Sequence, residues 1–109
     1  MVRVEVKIVK EPTLCPRLAK AMDLIGKRWT ALIIYQLLEG PQRFNAIESA
    51  LPISGRLLSE RLKELEKEKI VMRQVFSEVP IRVEYSLTEK GRALEDTIRA
   101  IESWSQQWT

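Results

Sequence analysis

Cys15 is the only cysteine in the chain, and it stands directly before Pro16 with Arg17 and Lys20 close behind. Proline suits the first turn of a helix, so the thiol is expected at a helix N-terminus, where the helix dipole and the two cations favour the thiolate. A thiolate so placed is open to oxidation, mixed-disulfide formation or alkylation. On a buried face the same residue would act only as a small hydrophobe. A second equipped set is Arg56, Ser59, Glu60 and Lys63, followed by Lys67. Helical spacing puts these residues opposite a stripe of Leu58, Leu62 and Leu65. Arginine offers a two-pronged donor, glutamate an acceptor and serine either. Such groups match base edges in a duplex major groove, which admits one α-helix. The alternative is a solvated helix face. Its i,i+4 neighbours Glu60–Glu64 and Lys63–Lys67 are like-charged and mutually unfavourable, which suits a charged partner better than a passive surface.

Composition excludes most other chemistry. The 109 residues include no His, which removes Ser-His-Asp triads, imidazole bases and imidazole metal sites. One Cys allows neither an internal disulfide nor a thiolate zinc site. No enzyme activity, cofactor or metal is therefore expected, and a thiol enzyme built on Cys15 would lack both a base and a resolving cysteine. The longest apolar stretch, Ala31 to Tyr35, is far short of the ~20 residues that span a bilayer. The N-terminus alternates charged and apolar residues, unlike a signal peptide, so a cytoplasmic domain with no membrane partner is expected. With 45% apolar and 30% charged residues, the chain suits one folded domain. The net charge of +3 is uneven, positive through residue 82 and −2 over residues 83–109. A polyanion is mildly attracted to the first part and repelled by the last.

The elements that must position these residues follow from periodicity and breakers. Residues 2–8 alternate with period 2 and read as a strand within an N-terminal extension, residues 1–14. Leu18, Ala21, Met22 and Ile25 make one face of a helix from Pro16 that stops at Gly26. Arg28 to about Leu38 is apolar almost all round and reads as the buried hub, ended by Gly40-Pro41. Asn45 and Glu48 match a capping box opening a short helix before Pro52. Ser54 caps the next helix, which runs to about Lys69. Two strands, about Val71–Phe76 and Arg82–Leu87, flank Ser77-Glu78-Val79-Pro80. Thr88 caps a last helix bearing Leu94, Ile98, Ile101, Trp104 and Trp108 along one side. A short helix, a turn, a longer helix and a ribbon make a winged helix-turn-helix, an α+β fold that is mainly helical.

Several motifs carry a resemblance through residues 15–108. They are Cys15-Pro16, Leu24-Ile25-Gly26-Lys27-Arg28-Trp29, Leu38-Glu39-Gly40-Pro41-Gln42-Arg43-Phe44, the run from Ile53 to Glu66, and Val79-Pro80-Ile81-Arg82-Val83-Glu84-Tyr85-Ser86-Leu87-Thr88-Glu89-Lys90-Gly91. In this order they resemble the HxlR-type family of bacterial transcriptional regulators. They are most similar to the branch in which an N-terminal Cys-Pro senses quinones and other electrophiles. The resemblance implies a homodimer on double-stranded operator DNA, acting as a repressor and sensing an oxidant or electrophile effector through Cys15. It also implies that the first and last helices form the dimer interface, through Leu94, Ile98, Ile101, Trp104 and Trp108. The alternative is that Trp104 and Trp108 fold back on the second helix. The expected DNA contacts are Arg56, Ser59, Glu60 and Lys63 on the recognition helix, Ser54 at its start, Gln42 and Arg43 on phosphate, and Arg73 and Arg82 on the wing. A wing arginine can enter the narrow minor groove or pair with phosphate. The rival readings are a winged-helix module that binds protein, and a regulator controlled by a small ligand without thiol chemistry.

Overall fold

The structure is a computed structural model and describes residues 15–109. The strand expected over residues 2–8 and the rest of the 1–14 extension lie outside the described residues. Helix α1 (Pro16–Ile25) starts at its proline, with Cys15 at the N-cap in extended backbone, and ends on Gly26. None of its residues is buried, and Leu18 and Met22 on its apolar side are more than half exposed.

The second helix, α2 (Thr30–Leu37), begins two residues later than its apolar run suggests. Lys27 to Thr30 closes a turn through a hydrogen bond of 3.2 Å from the Thr30 N–H to the Lys27 carbonyl. Trp29 takes the left-handed conformation there, with φ at +81°. That conformation costs a non-glycine residue about 1–2 kcal/mol, and packing of the indole against the core offsets it. Thr30, Ile33, Ile34 and Leu37 are buried, while Leu32 points out and is half exposed. The helix is thus the hub of the core along one face and not all round.

The expected capping box does not form. Helix α3 (Phe44–Ala50) starts one residue before Asn45, with Arg43 at the N-cap and no side-chain cap. Its entry is set from outside: the Gln42 N–H donates to the Tyr85 carbonyl at 2.9 Å and the Tyr85 N–H returns to Gln42 at 2.7 Å. Glu48 turns instead toward Gly55, where a Cβ would have to displace its carboxylate, and puts that carboxylate at the positive end of the next helix. That helix, α4 (Gly55–Lys67), is capped as expected by Ser54, whose hydroxyl accepts from the Leu57 N–H at 3.2 Å. Its stripe of Leu58, Leu62 and Leu65 is buried. It stops two residues short of Lys69, which takes φ +58° while the Ile70 N–H reaches back to the Leu65 carbonyl at 2.9 Å. This is a Schellman stop made without glycine.

Strands β1 (Val71–Phe76) and β2 (Arg82–Leu87) pair antiparallel, from Val71 opposite Leu87 to Phe76 opposite Arg82. The single last helix expected from the sequence is two. Thr88 caps a short α5 (Glu89–Arg92), accepting from the Gly91 N–H at 3.1 Å, and α6 (Glu95–Trp108) follows after a bend at Ala93 and Leu94. The Leu94 N–H bonds to Gly91 three residues back, which tightens the chain and turns α6 away. The core joins Ile33, Ile34 and Leu37 of α2 to Ile47, Ile53, the α4 leucines, Ile70, Val71 and Ile98. The order α3, turn, α4, ribbon is a winged helix-turn-helix.

Candidate nucleic-acid interface

The buried leucine stripe fixes which side of α4 faces out. At 100° per residue, Arg56, Ser59, Glu60, Lys63 and Lys67 fall on the opposite side. The Arg56 side chain is 93% exposed and lies 3.7 Å from Glu60, a loose i,i+4 pair open to a better partner. Lys63 is exposed and makes no ion pair among the described residues, and Ser59 is half-buried. Of the like-charge neighbours expected along α4, Glu60–Glu64 is relieved, because Glu60 faces Arg56 and Glu64 faces Arg61 and Lys27. Lys63 and Lys67 are both exposed with no ion pair among the described residues, and remain a like-charged pair suited to an anionic partner. The exposed donors and acceptors remain. Ser54 is exposed with its hydroxyl oxygen engaged in the cap, and Arg43 is exposed at the N-cap of α3.

Two expected contacts are committed elsewhere. The Gln42 side chain donates to the Gln36 carbonyl at 2.7 Å and accepts from the Gln36 side chain at 3.0 Å, so it anchors its own loop. Arg82 is held inside the ribbon by Glu84 at 2.7 Å and Glu78 at 3.0 Å. Its guanidinium lies 4.1 Å from the Phe76 ring centroid, and its side chain is 28% exposed. Arg73, exposed on β1, is the wing cation with no ion pair among the described residues. The wing tip presents Val79 and Ile81, both largely exposed.

The expected dimer residues divide as well. Ile98 is 6% exposed and belongs to the core of its own chain, with Leu94 packed against that core. Ile101, Trp104 and Trp108 do not fold back on α2 and remain 53%, 59% and 68% exposed. Tyr35 of α2 donates to the Glu102 carboxylate and ties α6 to the core. That hydrogen bond, followed by the charge of Glu102, raises the tyrosine pKa above its ordinary value of 10.0. Arg99 is likewise raised, first by its hydrogen bond to Glu95. Cys15 is exposed.

The only local signal at Arg61 and Glu64 is their own i,i+3 pairing, which does not reveal what else they hold. Their partners, Arg28 and Lys27, lie 33 and 37 residues away. No helix among the described residues is long and apolar enough to cross a membrane.

Known proteins agree with this architecture. The family model described as HxlR-like helix-turn-helix matches residues 24–109. YvaP of Bacillus subtilis (strain 168), named as an HTH-type transcriptional regulator, is 54% identical over 101 residues, covering 92% of this chain and 94% of the relative. YodB of the same organism, also named as an HTH-type transcriptional regulator, is 48% identical over 97 residues, 88% of this chain and 87% of the relative. The reduced form of YodB superposes with a TM-score of 0.78 at 47% identity, covering 88% of this chain and 95% of that one. YodB has also been solved diamide-treated and quinone-bound. The redox regulator HypR in its oxidised form gives a TM-score of 0.82 at 38% identity, over 87% of this chain and 98% of that one. These relatives are named as regulators and not as enzymes. With its winged helix, its exposed α4 and a family match through both, the chain belongs to the HxlR-like helix-turn-helix family of DNA-binding transcriptional regulators.

Proposed function

We infer that the protein is a homodimeric, sequence-specific repressor that works on operator DNA in the cytoplasm and is released by thiol modification of Cys15. Residues 15–109 form the DNA-binding and dimerisation domain in this reading, and 1–14 an extension. The observation that carries it is the outer face of α4, exposed, capped by Ser54 and leading directly into the ribbon. Arg56, Ser59, Glu60 and Lys63 read base edges, Ser54 and Arg43 hold phosphates, and Arg73 supplies the wing cation. Ile101, Trp104 and Trp108 leave a large apolar surface on α6, as Leu18 and Met22 do on α1, and a soluble monomer rarely exposes so much. A two-fold dimer spaces its recognition helices about 34 Å apart and matches a roughly palindromic operator.

The exposed N-cap position of Cys15 supports the sensing role, as do the quinone-bound and diamide-treated forms of YodB. With a quinone, the Cys15 thiolate forms an S–C bond to the ring. The displaced electron pair moves onto a ring oxygen, and protonation leaves a substituted hydroquinone. With diamide, two thiols lose two electrons and two protons, an S–S bond forms, and diamide becomes the hydrazine. The second thiol is Cys15 of the other protomer or a small thiol, because the chain has one cysteine. Either product acts by linkage, favouring an arrangement in which the two α4 helices no longer match the operator.

A second reading is favoured by a cleft of about 850 Å³ beside α1, where Arg17, Lys20 and Lys90 meet Asp23, Glu68 and Leu24. It is a regulator controlled by a small ligand without thiol chemistry. A gel shift on the promoter of its own gene, with and without diamide, separates the two. Specific binding lost on oxidation in the wild type and retained in Cys15→Ser is the expected result. Release that persists in Cys15→Ser refutes the sensor, and specific binding indifferent to diamide favours the ligand.

A further inference from the structure

Glu64 lies about a quarter turn round α4 from the DNA-reading face, and Arg61 lies beyond it on the edge of the leucine stripe. The two oxygens of Glu64 are engaged separately. One accepts from Lys27 Nζ at 3.2 Å, and the other from Arg61 Nη1 at 3.2 Å. Arg61 Nε also donates to the Arg28 carbonyl at 3.3 Å, and the Arg61 side chain is 18% exposed. Lys27 and Arg28 form the turn between α1 and α2, next to Trp29 in its left-handed conformation. Arg28 lies 4.8 Å from the Trp29 ring centroid, and the ring packs on the core. The turn is thus rigidly seated, and two side chains of α4 grip it.

We propose that Arg61 and Glu64 are positioning residues, a clamp that sets the rotation of α4 about its own axis and so aims Arg56, Ser59, Glu60 and Lys63. The leucine stripe alone is a poor guide to that rotation. Apolar contact is non-directional, and a helix can roll on its leucines by several degrees at little cost. Hydrogen bonds to the Arg28 carbonyl and the Lys27 ammonium are directional, and they act off the leucine stripe, where they resist rotation. The clamp engages Lys27, which would otherwise be a free cation near DNA, and Glu64 has no reason to approach a polyanion. The pair therefore serves geometry and not charge. This inference rests on the reading of α4 as the recognition helix.

Glu64→Gln tests it, because electrostatics and positioning predict opposite signs. Removing a carboxylate from a DNA-binding helix should strengthen binding to any duplex. Loss of the clamp should weaken binding to the specific site. The measurement is fluorescence anisotropy on an operator selected by the wild-type dimer from a random duplex pool, beside a scrambled duplex. Both are run at a temperature where circular dichroism shows the variant fully folded. The expected result is an operator affinity lower by roughly 3- to 30-fold, with scrambled-duplex affinity unchanged or higher. Arg61→Met should lower operator affinity by a similar factor, and Glu64→Asp should recover part of the loss. An operator affinity unchanged or raised in Glu64→Gln overturns the clamp. So does an equal fall on both duplexes, which is the signature of damage to the whole domain. Arg56→Ala, measured alongside, tests the underlying reading: if it leaves operator affinity unchanged, α4 is not the reading helix and the fault lies there.

Discussion

Substituting Gly91 by alanine sets helix propensity against packing, and the structure decides the sign. Gly91 lies within the short α5 and is buried. In an ordinary helix, glycine to alanine stabilises by about 1 kcal/mol. Here a Cβ would run into the Ile70 carbonyl oxygen well inside contact distance, and would sit 3.1 Å from both Ile70 Cγ2 and Leu87 Cδ2. The carbonyl cannot turn aside freely, because it accepts from the Thr88 N–H at 3.0 Å. Relief requires α5 to move off the start of the ribbon, or the carbonyl to rotate. Overpacking costs about 1–3 kcal/mol and a weakened hydrogen bond about 0.5–1.5 kcal/mol more. After the propensity gain, Gly91→Ala should lose about 0.5–3.5 kcal/mol, and each kcal/mol lowers the melting temperature of a domain this size by about 4–8 °C. Urea denaturation followed by circular dichroism at 222 nm measures the loss, at one fixed protein concentration so that assembly does not confound it. A variant as stable as the wild type, or more so, would refute the close approach of α5 to Ile70.

Three further outcomes follow from single features. The Thr30 hydroxyl is buried and has no hydrogen-bond partner among the described residues, so Thr30→Val, which keeps the shape, should raise stability by about 1–2 kcal/mol in the same denaturation experiment. In a Tyr85→Phe background, absorbance at 295 nm should show Tyr35 ionising above 10.0, and Glu102→Gln should move it back down. Because the folded value is raised, the stability linked to this bond is complete below the unfolded value and is lost as pH rises through the folded one. The stability difference between wild type and Glu102→Gln should therefore be widest below pH 10 and close as pH rises through the folded value. On the wing, Arg73→Ala should reduce the slope of log affinity against log salt by about one per protomer. The pair Arg82→Met with Glu84→Gln keeps the ribbon's charge and should leave that slope unchanged; a drop of about one would put Arg82 on phosphate after all.

What the sequence determined was local. Pro16 and Gly26 bound α1, Ser54 and Thr88 cap helices through their own side chains, the spacing of Leu58, Leu62 and Leu65 selects the buried side of α4, and two strand-like runs around Ser77-Glu78-Val79-Pro80 mark β1 and β2. Each signal acts within a few residues, where propensity and periodicity suffice. The exposed face bearing Arg56, Glu60 and Lys63 was legible for the same reason, being the complement of an apolar stripe. Tertiary structure decided the rest. Gln42 is pinned by Tyr85, which also moves the start of α3 ahead of the apparent capping box. Arg82 is drawn in by Glu78, Glu84 and Phe76, so an arginine that looks like a wing contact becomes a brace. Ile98 enters the core while Ile101, three residues on, does not, because the bend at Leu94 turns α6 away after its first turn. Which polar groups reach a partner depends on which others already hold them, and those holders lie a strand or a whole helix away along the chain.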